Sequence, residues 1–270
     1  MKASHDSGLV SRRLVGGANT HLGQHFLVDE EVLEKIVDAS DVRTGDRVLE
    51  IGPGLGVLTD ALMKRGARVR VIERDRRFIP LLQKRFAKEL SSGQLTMLLG
   101  DALHVEWFSK DDRAPWKFIS NLPYQITSAA LRVALWRDCP PSLIVTLIQR
   151  EVAERIVAAD QKHSLLSLMV ALASSSSEIV CRVGREAFDP PPKVESAVLK
   201  VVPLSEKDRL TRWGMDPERI MAVAKKGFTH PRKFLASNLA VDVTRVGLSA
   251  QVRAEDVSLE KWVELARPAE

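Results

Sequence analysis

Tyrosine occurs once in the 270-residue chain, at Tyr124, and cysteine only twice, at Cys139 and Cys181. Two isolated cysteines without a CxxC pair exclude a disulfide framework. They read as reduced thiols packed in the core of an intracellular protein. No stretch approaches the 18 or so consecutive apolar residues of a membrane span, and the N-terminus lacks the apolar core of a signal peptide. A soluble, cytoplasmic protein with no membrane association is therefore expected. His21 and His25 stand four apart but in a presumed loop, so no metal site is expected. There is no internal repeat and no low-complexity tract. Nothing suggests an oligomer, and a monomer is expected.

What is present has the balance of an ordinary globular protein, with 45% hydrophobic and 28% charged residues. Lys and Arg total 40 against 35 Asp and Glu, giving a net charge of +5 and a pI near 9.3. That excess favours a polyanionic partner.

Residues 1–20 mix Ser, Gly, His and Arg without periodicity and predict a basic tail, in which Lys2, Arg12 and Arg13 can touch nucleic acid or simply be solvated. Asp29 caps a helix with Val32, Leu33, Ile36 and Val37 inward. Strands are predicted at Arg47–Ile51, Arg68–Glu73, Leu95–Gly100, Lys117–Ser120 and Leu143–Ile148. Helices alternate with them at Leu55–Lys64, Phe78–Lys88 and Thr127–Arg137, followed by Arg150–Ala158 and Ser164–Ala173. This alternation implies an α/β fold with a mostly parallel sheet and helices on both faces. Glu178–Val183 and Ala197–Val202 then form a long hairpin around a Pro-rich connector, ending the sheet antiparallel. Pro203 and the charged Ser205–Arg209 stretch mark a boundary, with domains expected at 21–203 and 204–270. Helices near Pro217–Lys226, Pro231–Ala240 and Ser258–Ala266 make the second one small and all-α.

Glu50-Ile51-Gly52-Pro53-Gly54-Leu55-Gly56 sits between the first strand and first helix of the alternation, where glycines let the backbone approach a ligand. Its GxGxG spacing is not that of a dinucleotide loop. Glu50 is a poor neighbour for pyrophosphate and a good one for an ammonium group. Glu73 ends the second strand, where a carboxylate accepts from ribose hydroxyls. Asp101 follows the third and can accept from an adenine amino group. Ribose, adenine and an amino acid without phosphate describe S-adenosylmethionine. Each carboxylate alone could equally cap a helix or pair with Arg74, Arg76 or Arg77; their succession after consecutive strands favours the cofactor.

Asn121-Leu122-Pro123-Tyr124 follows the fourth strand. The Asn121 side-chain oxygen and the Leu122 carbonyl region can accept both hydrogens of an exocyclic amino group, and the Tyr124 ring can stack on its base. An ordinary βα turn would also accommodate Asn and Pro. Binding both hydrogens favours a pyramidal nitrogen with a localised lone pair, which an aligned methyl donor requires. Such a base must be flipped out or unpaired. Phe188, in the Pro-rich connector, is either its second stacking face or a core anchor.

Leu22-Gly23-Gln24-His25-Phe26-Leu27, the glycine loop, Asn121-Leu-Pro-Tyr-Gln-Ile-Thr127 and Phe188-Asp-Pro-Pro-Pro-Lys-Val-Glu-Ser-Ala-Val198 together resemble the ribosomal RNA adenine dimethyltransferase family. The resemblance runs from about residue 20 to the C-terminus. It implies a Rossmann-like class I methyltransferase domain followed by a small helical domain. It also implies transfer of two methyl groups to each of two adjacent adenosines near the 3′ end of small-subunit rRNA, within a late pre-ribosomal small subunit. By motif, His25 and Leu27 touch the cofactor, Gly52 and Gly54 line its amino-acid end, Glu73 its ribose and Asp101 its adenine. Asn121 serves cofactor and target. His25 stands where the family often has Asn, and Pro231 replaces a basic residue in Phe228-Thr-His-Pro-Arg-Lys-Phe-Leu235. Lys193, Lys225, Lys226, Arg232 and Lys233 are expected to meet the rRNA backbone. The alternatives are a large-subunit rRNA methylase of the macrolide-resistance type, a non-catalytic assembly or nucleic-acid-binding factor, and a DNA adenine methylase.

Overall fold

The computed structural model describes residues 24–108, 113–158 and 162–268. The expected tail over 1–20, His21 and the start of the Leu22–Leu27 motif lie outside the described residues.

In chain order the strands are β1 (Phe26–Leu27), β2 (Arg47–Ile51), β3 (Arg68–Glu73), β4 (Leu95–Leu99), β5 (Lys117–Asn121), β6 (Leu143–Gln149), β7 (Ser174–Val183), β8 (Phe188–Asp189) and β9 (Ser196–Pro203). Near-continuous apolar runs such as Leu143–Ile148 suit strands covered on both faces. The larger sheet has seven strands in the order β4-β3-β2-β5-β6-β9-β7. β2 pairs in parallel with β3 and β5, β3 with β4, and β5 with β6. β9 runs antiparallel to β6, with Gln149 opposite Ser196. After β4 the chain crosses back to the other side of β2, so the strand order reverses between β2 and β5. Open α/β sheets bind ligands at such a switch point, beyond the carboxyl ends of the strands. The glycine loop leaves β2 and the Asn121–Tyr124 turn leaves β5, one on each side of it.

Helix α1 (Glu30–Ala39) is capped as expected, the Asp29 side chain accepting from the Val32 N–H at 3.1 Å. Helix α2 (Val57–Lys64) follows Gly56, which has φ +77°. A Cβ there would lie 2.5 Å from the Phe86 ring, so close packing and the left-handed backbone both demand glycine. The single helix predicted over 78–88 is two, α3 (Phe78–Arg85) and α4 (Ala87–Ser92). They divide at Phe86, which leaves helical geometry while its ring is buried against Gly56. Helices α5 (Thr127–Leu135), α6 (Arg150–Val157) and α7 (Leu165–Ala173) fall where periodicity places them.

The Pro-rich connector is more than a hairpin loop. It carries a 3-10 turn at Arg185–Ala187 and then β8, which pairs antiparallel with β1, Phe26 opposite Asp189 and Leu27 opposite Phe188. Two-residue strands have no period to read, so this small second sheet is invisible in the sequence.

By internal packing the chain forms two compact units. Among the described residues, one comprises those up to Ala134, Pro141–Ala153 and Glu178–Val201; the other comprises Leu135–Pro140, those within Glu154–Ser177 and those from Val202 onward. Glu154–Ser177, which includes the first four residues of β7, thus groups with the C-terminal residues. The second unit also holds α8 (Glu206–Trp213), α9 (Pro217–Gly227), α10 (Leu235–Leu239) and α11 (Leu259–Ala266). The charged stretch expected at the boundary is therefore helical. Ser205 caps it, accepting from the Asp208 N–H, and the buried Arg209 guanidinium donates to the Leu135 carbonyl at 2.7 Å. The helix expected over Pro231–Ala240 is reduced to α10. The Asn238 side chain donates to the Gly227 and His230 carbonyls at 2.6 and 3.0 Å, holding 228–234 as a turn, and Phe234 is extended at ψ 146°. No helix among the described residues is long and apolar enough to cross a membrane.

Candidate active site

A cleft at the carboxyl ends of β2, β3, β4 and β5 is lined by His25, Leu27, Glu50, Gly52, Gly54, Glu73, Asp101, Asn121, Leu122 and Tyr124, among others. Ten residues singled out in the sequence are thereby brought together. Glu73 ends β3 and is only 5% exposed. Its Oε1 accepts from the Asp75 N–H at 2.7 Å and its Oε2 from the Gly54 N–H at 3.3 Å. Burial raises its pKa against those bonds. Each oxygen retains a lone pair, as a carboxylate gripping ribose hydroxyls needs. Glu50, 2% exposed, accepts from the Thr59 hydroxyl at 2.6 Å. Burial pushes its carboxyl up to about 8, and the neighbouring Glu73 adds to the rise. Ionising such a group is unfavourable in the empty cleft, and an ammonium partner offsets that cost as the proton leaves. Asp101 accepts from the Leu103 N–H at 3.0 Å and faces Arg74 and His104 at 3.4 and 3.5 Å. A Cβ on Gly54 would lie 3.0 Å from the Phe26 ring, so the loop and the β1 segment close on each other without a side chain between them. This acidic, phosphate-averse donor set fits S-adenosylmethionine.

Across the switch point, Asn121 Nδ2 donates to the His25 carbonyl at 3.2 Å. Committing the amide nitrogen in this way leaves Oδ1 as the acceptor. Pro123 ends β5, and Tyr124 sits in a 3-10 turn spanning Tyr124–Ile126. The Tyr124 hydroxyl lies 2.6 Å from Ser196 Oγ. Burial raises the phenol pKa, more than the Ser196 bond lowers it. The His25 ring stacks toward Tyr124, with centroids 6.0 Å apart and planes at 23°, and its Nδ1 bonds the Pro190 carbonyl at 2.8 Å. Phe188 is placed differently from its role as a second stacking face. It is 3% exposed in the core, because pairing opposite Leu27 in the small sheet turns it inward, and it does not line the cleft.

A ribosomal RNA adenine dimethylase family model matches residues 16–266. The chain belongs to that family. The ribosomal RNA small subunit methyltransferase A of Sphingopyxis alaskensis is 38% identical over 263 residues, covering 93% of each chain. That of Prochlorococcus marinus (strain MIT 9313) is 36% identical over 266 residues, again covering 93% of each. Among solved structures, a dimethyladenosine transferase from Plasmodium falciparum superposes with a TM-score of 0.71 at 23% identity, over 89% of this chain and 96% of that one. That likeness shows the shared class I methyltransferase fold.

Of the five basic residues expected at the rRNA, Lys193 belongs to the unit that holds the cleft and does not line it. Lys193 is exposed in the connector of the sheet unit. Lys225 and Lys226 are exposed at the end of α9, and Arg232 and Lys233 in the turn that follows. Several residues of the site are not singled out by the sequence: Gln24, Thr59, Asp75 and Ser196. Thr59 lies in the first turn of α2 and donates to Glu50 across the glycine loop. Ser196 is far along the chain from Tyr124, and only strand register brings it there. Among the described residues, no group of three or more His, Cys, Asp or Glu side chains is arranged to hold a metal ion.

Proposed function

We propose that the protein transfers methyl groups from S-adenosylmethionine to the N6 amino groups of two adjacent adenosines near the 3′ end of small-subunit rRNA, giving N6,N6-dimethyladenosines. The observation that carries this reading is the Asn121 amide, oriented by the His25 carbonyl at the carboxyl end of β5, beside a phosphate-averse cofactor cleft. The cofactor supplies a methyl group on a sulfonium, which needs an aligned nucleophile and exclusion of water. Glu73 holds the ribose, Asp101 the adenine and Glu50 the charge of the amino-acid end, with Gly52 and Gly54 allowing close approach. Asn121 Oδ1 and the Leu122 carbonyl accept the two hydrogens of the target amino group, localising its lone pair toward the cleft. Tyr124 stacks on the flipped base. Leu122 and Pro123 present apolar surface that excludes water.

The substrate is a late pre-ribosomal small subunit, engaged in the cytoplasm by a monomer. Residues 21–203 serve as the methyltransferase domain and 204–270 as a helical rRNA-binding domain, with Lys193, Lys225, Lys226, Arg232 and Lys233 at the RNA backbone. The test is incubation with labelled S-adenosylmethionine and small subunits lacking the two dimethyladenosines, with large-subunit rRNA alongside. Label is expected on two adjacent small-subunit adenosines and absent with Asn121→Ala. Label on the large subunit would assign a resistance-type methylase; binding without label would assign an assembly factor.

A further inference from the structure

Glu73 and Asn121 end different strands, β3 and β5, yet one short segment reaches Asn121 directly and Glu73 through Asp75. Gln24 Nε2 donates to Asp75 Oδ2 at 2.7 Å, and Gln24 Oε1 accepts from Arg77 Nη2 at 3.3 Å. The neighbouring His25 carbonyl accepts from Asn121 Nδ2 at 3.2 Å. Phe26 covers Gly54 and meets the Phe78 ring edge-on at 5.7 Å. Asp75 is buried. Besides Gln24 it accepts from the Arg77 guanidinium and backbone N–H, and its own N–H donates to Glu73 Oε1 at 2.7 Å. Asp75, two residues beyond the end of β3, therefore holds the ribose-binding carboxylate by its backbone and the Gln24–Leu27 segment by its side chain.

We propose that Asp75 and Gln24 form a clasp that positions Asn121. The inference rests on the functional reading above and deepens it by adding two positioning residues to the reaction. A side-chain amide has two ends of opposite character. Turned by 180°, Asn121 would present its NH2 to the target amino group and repel it. The His25 carbonyl prevents that turn only while it is held in place. β1 fixes the segment on its far side, through Phe26 and Leu27; the clasp fixes it on the near side, one residue before His25. Cofactor and target ends of the site are thus aligned by a single strip of backbone. Neither Gln24 nor Asp75 needs to touch the target base.

The test uses the full-length protein. In single-turnover methylation of small subunits lacking the modification, Gln24→Ala and Asp75→Ala are each expected to transfer at about one-tenth of the wild-type rate, since loss of alignment is costly. The double variant is expected to be no slower than Asp75→Ala, because losing Asp75 already removes the carboxylate that Gln24 binds and the anchor of Arg77, its second partner. The cofactor Kd of Gln24→Ala should stay within about three-fold of wild type, since it removes bonds to Asp75 and Arg77. In the free protein, NMR of the Asn121 side-chain amide should show slow hydrogen exchange that becomes fast in Gln24→Ala. An amide unchanged by Gln24→Ala overturns the clasp. So does an unchanged transfer rate, or a rate loss matched by an equal loss of cofactor affinity. Absence of label with the wild-type protein would strike the functional reading instead, and the amide comparison would still decide the clasp.

Discussion

The Tyr124 phenol and the Ser196 hydroxyl lie 2.6 Å apart, and Ser196 is completely buried at the start of β9. The ring proposed to stack on the target base is thereby pinned to the sheet. Tyr124→Phe and Ser196→Ala are each expected to slow methyl transfer by about three- to ten-fold, the worth of one buried hydrogen bond. Cofactor affinity should be unchanged, and the double variant no worse than the more affected single one. Single-turnover rates on the small subunit measure this; additive losses would show that the two hydroxyls act separately.

With Glu50 at the ammonium end of the proposed cofactor site, cofactor binding and stability should respond oppositely to pH. Its folded pKa is raised from 4.5 to about 8, so its contribution to stability is complete below about 4.5 and is lost as pH rises through about 8. Ionising it in the empty cleft opposes folding, whereas an ammonium ligand requires the ionised form. Cofactor affinity should therefore rise between about pH 6 and 8, with proton release on binding. Glu50→Gln should raise the thermal midpoint most at alkaline pH and weaken cofactor binding by about ten-fold, with the pH dependence removed. Calorimetric titration in buffers of different ionisation heat, with thermal melts across the same pH range, tests both effects. A variant with wild-type affinity would remove Glu50 from the ammonium site.

Gly56 should tolerate no side chain. Gly56→Ala combines a left-handed backbone with a Cβ 2.5 Å from the Phe86 ring and 3.0 Å from Leu82. A loss of about 2–4 kcal/mol is expected, read from the urea midpoint, with α2 and the glycine loop displaced together. A loss below about 1 kcal/mol would mean that Phe86 yields easily.

Neutralising Lys225, Lys226, Arg232 and Lys233 should weaken binding to small-subunit RNA and flatten its salt dependence. Every phosphate that is no longer neutralised lowers the log–log slope by about 0.7 to 0.9. Catalysis on saturating substrate should be largely retained, since phosphate contacts act on affinity. An unchanged slope would exclude them from the RNA footprint.

The amino-acid sequence alone determined the parallel strands, their turns and most of the helices, because apolar runs, Gly52-Pro53-Gly54 and Pro123 act locally. The strand-end positions of Glu73, Asp101 and Asn121 followed, since each sits at the end of a strand whose period is legible. The break at Phe86 and the loss of helix over 231–234 did not, because tertiary packing of Phe86 on Gly56 and the side-chain bonds of Asn238 override local propensity. The inward turn of Phe188 needed its pairing with Leu27. Only the tertiary structure decided how Gln24, His25, Asp75, Asn121, Tyr124 and Ser196 meet. Their hydrogen bonds join positions 51, 72 and 96 residues apart, and no periodicity in a chain encodes which distant residues a sheet register will set side by side.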